Sequence, residues 1–266
     1  MRGHDAACRS AAGEDIGQMS GGAHVKRVRA LHQRKFRGSE GLFLAQGRKV
    51  VAELLRSDLE VVELFGTREI ADLLGAASMQ VLPAKDLERM GTFKQGNEVV
   101  AVVRKPAAPT LRMPGAGRFV LALDQISDPG NLGTLLRIAD WFGAQQVWCA
   151  GETVEVWNPK CVQASMGSVF RMAVLQVDLP AVLREAAAVG VQVFKAEASG
   201  TNVFQTQLQR PAILVMGSES HGLSREVRSA PGRSIAIPSF GGAESLNVSA
   251  AAAALCMELA RGAAEG

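Results

Sequence analysis

Short apolar runs alternate with helix-like segments along this chain, and this alternation constrains its fold more than any other feature. The predicted strands are 118–124, 146–150, 172–177, 191–196 and 211–216, and the predicted helices between them are 134–142, 159–169 and 179–189. The pattern predicts an α/β domain with a buried parallel sheet. Polar, glycine-bearing loops follow three of the runs. Because ligands collect beyond the carboxyl ends of parallel strands, these loops form the predicted site.

A smaller alternation precedes this domain. Strands are predicted at 41–45, 61–65, 80–82 and 98–103, with helices between them, so we expect residues 23–104 to form a small α/β domain. Three prolines and two glycines between positions 104 and 117 end the pattern. We predict a linker over 105–117 and the second domain over 118–266. Residues 1–22 have no periodicity and are predicted to be a disordered leader.

Composition is typical of a globular, cytoplasmic protein, with 47% hydrophobic and 21% charged residues. No apolar run approaches the roughly 18 residues of a membrane helix, and no signal-peptide core lies near the start of the sequence. The four cysteines are Cys8, Cys149, Cys161 and Cys256, and they form no CxxC pair. We therefore predict neither a metal site nor a disulfide framework, and we expect reduced thiols.

Basic residues cluster at the start of the first domain. Within positions 24–49 the only acidic residue is Glu40, and Val25, Val28 and Leu31 recur at helical spacing. A charge run of this kind is more often the solvated face of an amphipathic helix, and the alternative is a surface that contacts nucleic-acid phosphates. For that alternative the candidate residues are Lys26, Arg27, Arg34, Lys35, Arg37 and Arg48.

The segment 235–260 is predicted to be a short buried strand, a glycine turn and a helix. Ser245 stands where a helix N-cap belongs, since its hydroxyl can accept from the first free backbone N–H groups, and Asn247 falls in the first turn. Five alanines from Ala250 let another backbone approach the helix closely. This combination predicts a small-molecule and partner site. No GxGxxG pattern follows the run 118–124, so a dinucleotide site is disfavoured.

Three ordered motifs carry a family resemblance. Residues 131–137 (NLGTLLR), 217–223 (GSESHGL) and 237–249 (IPSFGGAESLNVS) resemble the three motifs of the SpoU (TrmH-like) RNA 2′-O-ribose methyltransferases of the SPOUT superfamily. Residues 164–168 (ASMGS) resemble the small-residue segment between the first two motifs. Residues 41–47 resemble the L30e-like substrate-binding domain of some members, with Gln46 where glutamate is frequent.

The resemblance implies a fold, a cofactor and partners. The implied fold is a knotted α/β SPOUT domain with a parallel sheet, preceded by a small L30e-like α/β domain, and the implied assembly is a homodimer. The implied cofactor is S-adenosylmethionine, held by backbone groups of Gly217, Ile237 and Leu246. The implied substrate is RNA, and the appended basic domain favours ribosomal RNA over transfer RNA.

The resemblance also implies the chemistry. A ribose 2′-hydroxyl is a poor nucleophile, so its proton must be removed as it attacks a sulfonium methyl in line. Arg137 is the family's candidate for this role. The pKa of a guanidinium lies above about 12, so it is a poor base. The alternative is that Arg137 binds the phosphate or orients the hydroxyl, while a phosphate oxygen helps to remove the proton. The side chains implied to shape the site are Asn131, Glu219, Ser245 and Asn247.

Two other functions stay open from the sequence. The first is an RNA-binding relative without catalytic activity, and the complete set of Asn131, Arg137, Glu219 and Asn247 argues against it. The second is a nucleotide-dependent oxidoreductase, and the missing glycine motif argues against it.

Overall fold

The computed structural model describes residues 21–92 and 97–264, which form two sheets flanked by helices. The first sheet has the order β1-β4-β2-β3, in which β4 pairs antiparallel with β1 and β2 while β3 pairs parallel with β2. Its elements are α1 (Gly21–Ala30), α2 (Arg34–Glu40), β1 (Leu42–Gln46), α3 (Arg48–Leu54), β2 (Val61–Gly66), α4 (Arg68–Leu74), β3 (Gln80–Val81), α5 (Ala84–Met90) and β4 (Val99–Arg104).

The second sheet is parallel in all five of its strand pairings and has the order β10-β8-β9-β5-β6-β7. Its carboxyl edge carries the loops of the predicted site. Its elements are β5 (Phe119–Asp124), α6 (Pro129–Trp141), β6 (Gln146–Ala150), α7 (Pro159–Ala164), β7 (Val174–Gln176), α8 (Leu179–Ala188), β8 (Gln192–Asn202), β9 (Ala212–Met216), α9 (Arg225–Ser229), β10 (Arg233–Ala236) and α10 (Val248–Ala264).

The predicted strands are confirmed, whereas several predicted boundaries are wrong. Helix α6 begins at Pro129 rather than at position 134, because the carboxylate of Asp128 accepts from the backbone N–H of Asn131 (2.9 Å) and proline is favoured at the first helical position. Helix α7 ends at Ala164, and a separate 3₁₀ turn covers Ser168–Phe170. Strand β8 continues six residues beyond position 196, where a register shift lets it pair further with β10.

The predicted leader lies largely outside the described residues, as does Cys8. Gly21 and Gly22 belong to α1. Residues 105–118 carry no helix or strand. No helix in the described ranges is long and apolar enough to cross a membrane, and no group of three His, Cys, Asp or Glu side chains within those ranges could hold a metal ion. The strand pairings do not test the knot, which stays a prediction.

The two sheets share one apolar core. Phe43 of β1 stacks on Trp157, which precedes α7, with ring centroids 4.3 Å apart, and the same cluster of buried side chains includes residues of β1, β4, β5 and β9. At the edge of this interface, the guanidinium of Arg171 contacts both Glu53 of α3 and Asp140 of α6, each at 2.8 Å. The first domain is therefore packed against the second rather than tethered to it.

Arg37 is part of this interface, and the prediction that it contacts RNA is wrong for this structure. Its side chain is 2% exposed and donates to Glu155 and to the backbone carbonyls of Leu31 and His32. Lys105 also donates to Glu155 (2.8 Å). A guanidinium with all of these acceptors is unavailable to a phosphate.

We expect Glu155→Gln to lower the free energy of unfolding by roughly 3 kcal/mol at neutral pH, because the substitution leaves the buried charge of Arg37 without its carboxylate. Burial raises the pKa of Glu155, but the hydrogen bonds from Arg37 and Lys105 together outweigh it and hold that pKa below its ordinary value of 4.5. A carboxyl group with a lowered folded-state pKa stabilises the fold above its unfolded-state pKa and loses this effect as the pH falls. In urea unfolding, the free energy of unfolding of Glu155→Gln should therefore be lower than that of the wild type at pH 7, and this difference should shrink below pH 4.5.

A matched control is Glu60→Gln, which removes the same charge from an exposed ion pair with Arg104. Exposed pairs contribute little to stability, so this variant should unfold like the wild type. Equal stability of Glu155→Gln and wild type at neutral pH would contradict the structural role of the Glu155 carboxylate.

Candidate active site

Three loops meet at the carboxyl edge of the parallel sheet. They follow β5, β9 and β10, and the strand order places β5 directly beside β9. The first loop leads into α6, the second spans residues 217–224, and the third spans residues 237–247 before α10. Helices α6 and α10 also pack against each other. Residues that are distant in sequence therefore project into one region.

Asn131, Glu219 and Asn247 form one hydrogen-bonded cluster in this region, as the sequence motifs suggested. The side-chain amide of Asn131 donates to one oxygen of Glu219 (2.9 Å), and the amide of Asn247 donates to the other oxygen of Glu219 and to Oδ1 of Asn131 (3.2 Å). The backbone N–H of Val248 also donates to Glu219 (3.3 Å). The carboxylate thus joins all three loops.

Asn247, not Ser245, caps α10. Its Oδ1 accepts from the backbone N–H groups of Ser249 (3.0 Å) and Ala250 (3.4 Å), while its amide is turned to Glu219. The prediction that Ser245 is the N-cap is wrong because the helix begins at Val248, three residues later. Ser245 is exposed and instead lines the adjacent cavity.

This cavity of about 730 Å³ lies beyond β8, β9 and β10, and its size falls in the ordinary range for small-molecule sites. It is lined by all three predicted cofactor-binding residues, Gly217, Ile237 and Leu246. Among the described residues that line it are Glu197, Glu219 and Glu244, and none is Lys, Arg or His. Glu197 is paired with Arg228 (2.7 Å), whereas no ion pair within the described residues engages Glu219 or Glu244, so these two carboxylates favour a cationic ligand.

Free backbone groups border the same cavity. In the part of the chain that the structure describes, no backbone hydrogen bond joins residues 238–246 to another element. Apart from Pro238, which has no N–H, and Gly241, whose carbonyl accepts from the hydroxyl of Ser239 (3.3 Å), these residues offer N–H and C=O groups to a ligand's polar edge. Apolar side chains, including Met216 and Leu255, supply the remaining wall. An apolar wall with convergent backbone groups fits a purine nucleoside, and the nearby carboxylates fit a sulfonium and an amine, so the residues present suit S-adenosylmethionine.

Gly217 is required by close backbone packing. A Cβ atom at this position would lie 2.4 Å from the backbone carbon of Gly222 and 2.6 Å from the nitrogen of Leu223. The loop 217–224 therefore folds back on itself beside the cavity, with reciprocal backbone hydrogen bonds between Ser218 and Gly222 (2.9 and 2.8 Å).

Two aspartates that sequence reasoning did not assign hold these loops in place. Asp124, at the end of β5, is 2% exposed and accepts from the backbone N–H of Ser224 (2.7 Å). Asp128 caps α6 and pairs with Lys160 (2.8 Å). The hydrogen bond from Lys160, followed by that from the backbone of Asn131, lowers the pKa of Asp128. The sequence does carry a signal for these two roles: Asp124 ends an apolar run, and Asp128 directly precedes a proline.

Arg137 lies on α6 apart from this cluster. It is exposed, and among the described residues no hydrogen bond or ion pair engages its guanidinium. Six residues of helix separate it from Asn131, which places it about 9 Å further along the axis. Within one chain, the structure therefore does not bring Arg137 to Glu219 or Asn247.

The predicted RNA-binding residues other than Arg37 lie on the surface of the first domain. Lys26, Arg34, Lys35 and Arg48 are exposed, whereas Arg27 is half-buried and pairs with the buried carboxylate of Glu63. Four of the six candidates therefore present charges that a phosphate can reach.

The three cysteines in the described ranges are buried, free thiols. Burial raises the pKa of Cys149 and of Cys256 to about 12, and it also raises that of Cys161. Since the thiolate is the nucleophile, these side chains do not suit covalent catalysis.

Two family models match the chain. Residues 118–257 match the SpoU rRNA Methylase family, and residues 23–105 match the MRM3-like substrate binding domain. Together they cover both sheets.

Similar proteins include the 23S rRNA (guanosine(2553)-2′-O)-methyltransferase RlmP of Bacillus subtilis, which is 30% identical over 88% of this chain and 95% of its own length. A 23S rRNA (uridine(2479)-2′-O)-methyltransferase of Streptomyces viridochromogenes is 32% identical over 87% of this chain and 86% of its own. Among solved structures, the SpoU methyltransferase AviRb of Streptomyces viridochromogenes in complex with AdoMet has a TM-score of 0.81 and 27% identity, and the match covers 92% of this chain and 99% of AviRb.

We expect Asn247→Ala to lower the free energy of unfolding by about 1 kcal/mol, because the first N–H groups of α10 lose their acceptor and Glu219 loses a donor. Ser245→Ala is the matched control, since it removes a polar side chain two residues away that caps nothing. Urea unfolding followed by circular dichroism measures both. An equal loss in Ser245→Ala, or none in Asn247→Ala, would show that the cap is wrongly assigned.

Proposed function

Because this chain belongs to the SpoU rRNA methylase family, we propose that it is an S-adenosylmethionine-dependent methyltransferase that acts on a ribose 2′-hydroxyl of RNA. The proposal rests on one observation: the cavity is lined by carboxylates and is bordered by the cluster of Asn131, Glu219 and Asn247. A nucleotide-dependent oxidoreductase remains disfavoured, because the turn after β5 lacks the GxGxxG motif that binds a dinucleotide's pyrophosphate.

Different residues bind the cofactor and orient the ribose. When bound, S-adenosylmethionine supplies a methyl group on a sulfonium. Backbone groups of Gly217, Ile237 and Leu246 hold it, and the neighbouring carboxylates complement its positive charge. The cluster fixes the loops around the cavity and leaves one N–H of the Asn131 amide to donate to a ribose, while Ser245 offers a hydroxyl at the rim. A preorganised set of this kind places the attacking oxygen in line with the methyl group.

Arg137 orients the ribose hydroxyl or its phosphate in this proposal. A guanidinium is a hydrogen-bond donor with no acceptor, so it suits anion binding better than proton abstraction. A phosphate oxygen of the substrate then helps to accept the proton. The unengaged, exposed side chain is available to bind RNA.

Ribosomal RNA of the large subunit is the proposed substrate, and the cytoplasm is the proposed compartment. Both relatives named above are 23S rRNA 2′-O-methyltransferases. The first domain, over residues 23–104, binds the RNA through Lys26, Arg34, Lys35 and Arg48, with a smaller contribution from the partly paired Arg27. Residues 105–117 connect it to the methyltransferase domain of residues 118–266.

A homodimer is proposed to form through α6 and α10. On α6, Trp141 is 85% exposed and lies one turn after Arg137; on α10, Met257 is 65% exposed and continues the face of Ala250 and Ala254. Small residues beside large exposed apolar side chains allow two helices to pack closely. Such a dimer would place the partner's surface beside Arg137.

Gly217→Ala should weaken S-adenosylmethionine binding by at least about tenfold, or about 1.4 kcal/mol, because the added methyl group displaces the backbone at Gly222 and Leu223. Isothermal titration calorimetry measures the affinity. Gly115→Ala is the control, since a Cβ atom there would have no neighbour within 4 Å and the position is remote from the cavity. Unchanged affinity in Gly217→Ala would exclude this cavity as the cofactor site.

Arg137→Ala should slow methyl transfer by about 100-fold, whereas Arg184→Ala, at an exposed position of α8, should not slow it. The assay transfers labelled methyl from S-adenosylmethionine to ribosomal and transfer RNA from cells that lack this protein. Because a 2′-O-methyl group blocks alkaline cleavage, the resistant site identifies the nucleotide. Full activity of Arg137→Ala would remove its assigned role, and cofactor binding without transfer to any RNA would favour the non-catalytic relative.

A further inference from the structure

A second cavity, of about 790 Å³, lies between the two domains. It is lined by residues of α2, by Ser127, by Cys149 of β6, by most of the loop 151–158 and by all three residues of β7. The strand order shows how it relates to the candidate active site. The cofactor cavity lies beyond β8, β9 and β10, the second cavity lies beyond β5, β6 and β7, and the cluster of Asn131, Glu219 and Asn247 lies at the boundary between β9 and β5.

The second cavity lies close to the catalytic cluster. Ser127 lines the cavity, and the four residue steps from Ser127 to Asn131 span at most about 14 Å even when extended. Asn158 also lines it, and its side-chain oxygen accepts from the backbone N–H of Lys160 (2.9 Å). The ion pair between Lys160 and Asp128 therefore separates the cavity from the cluster.

The walls of the cavity match an unstacked base. Val156, Val174 and Leu175 supply apolar surface. Glu152 supplies a carboxylate for polar edges, and the amide of Gln176, which donates to the carbonyl of Gly151 (3.2 Å), retains its oxygen and one N–H. RNA-binding proteins read sequence in this way, from single-stranded bases whose faces pack on side chains and whose edges form hydrogen bonds.

The charges around the cavity match an RNA backbone. Arg34 lines the opening, is exposed and has no hydrogen bond or ion pair within residues 21–92 and 97–264. Lys160, whose side chain is 60% exposed, lies on the side of the catalytic cluster. By contrast, Arg37 in the cavity wall forms a buried ion pair with Glu155 and does not contribute a free charge. One unpaired cation at the opening and an exposed one on the path to the cluster can bind successive phosphates.

We propose that this interdomain cavity binds a base of the substrate RNA close to the methylated nucleotide, with Arg34 on its phosphate. The inference rests on the proposed function. A base in this position sets the register of the strand, so that one ribose hydroxyl meets the catalytic cluster. The cavity therefore selects the nucleotide that is methylated, whereas the exposed cations of the first domain add affinity without sequence preference.

The first test fills the cavity. Gln176→Trp places a large ring at the exposed end of β7, and Gln192→Trp makes the same change at the exposed start of β8, in the other half of the sheet. On an RNA fragment that carries the mapped methylation site, kcat/KM should fall about tenfold for Gln176→Trp only. Cofactor affinity and melting temperature should equal those of the wild type in both variants. Wild-type kcat/KM in a folded Gln176→Trp protein would overturn the proposal.

The second test removes the base. Abasic residues are placed singly at two positions on either side of the methylated nucleotide. One of them should lower the wild-type kcat/KM about tenfold and have no further effect on Gln176→Trp, because both changes remove the same contact. Additive losses at every position would contradict the proposal. If the wild type methylates no RNA, the proposed function itself has failed, which is a different result.

A third measurement needs no variant. A 4-thiouridine at the position identified by the abasic series should crosslink, in the wild-type protein, to the segments 151–156 or 174–176, which line the cavity. Crosslinks confined to other segments would overturn the assignment even if Gln176→Trp did not fold.

Discussion

The arrangement of the site depends on one carboxylate. Glu219 accepts hydrogen bonds from the side chains of Asn131 and Asn247 and from the backbone of Val248, and it thereby joins α6, the loop after β9 and the start of α10. The negative charge also lies at the N-terminus of α10, where the helix dipole stabilises it. Without this shared acceptor, three surface loops would have no common anchor beside the cofactor cavity.

The interface between the domains extends this organisation to the substrate. The stacked rings of Phe43 and Trp157 and the buried pair of Arg37 and Glu155 hold the first domain against the carboxyl edge of the second. A buried ion pair contributes orientation as much as stability, since its geometry tolerates little displacement. The cavity between the domains adjoins this packing, since Arg37 and Glu155 belong to its lining.

Acidic and basic side chains lie in two separate regions, and each region suits a different ligand. Carboxylates line the cavity beyond β8, β9 and β10, which suits a sulfonium. Exposed cations lie on the first domain and at Lys160, which suits phosphates. The six-stranded sheet separates these regions along one edge, and the neutral amides of Asn131 and Asn247 lie between them. A methyl donor and a polyanion can therefore approach the same atoms from opposite sides.

The α/β class, each strand and the three site loops were predictable from the sequence, because periodicity and strand-end polarity are local properties. The family motifs likewise pointed to Asn131, Glu219 and Asn247. Other features were decided only by the tertiary structure: Asn247 rather than Ser245 caps α10, Arg37 is buried, and Arg137 lies apart from the cluster. Arg37 meets Glu155 from 118 positions away, and Asn247 meets Glu219 from 28. Local pattern identifies a side chain's chemistry, but its partner depends on which distant segments pack together.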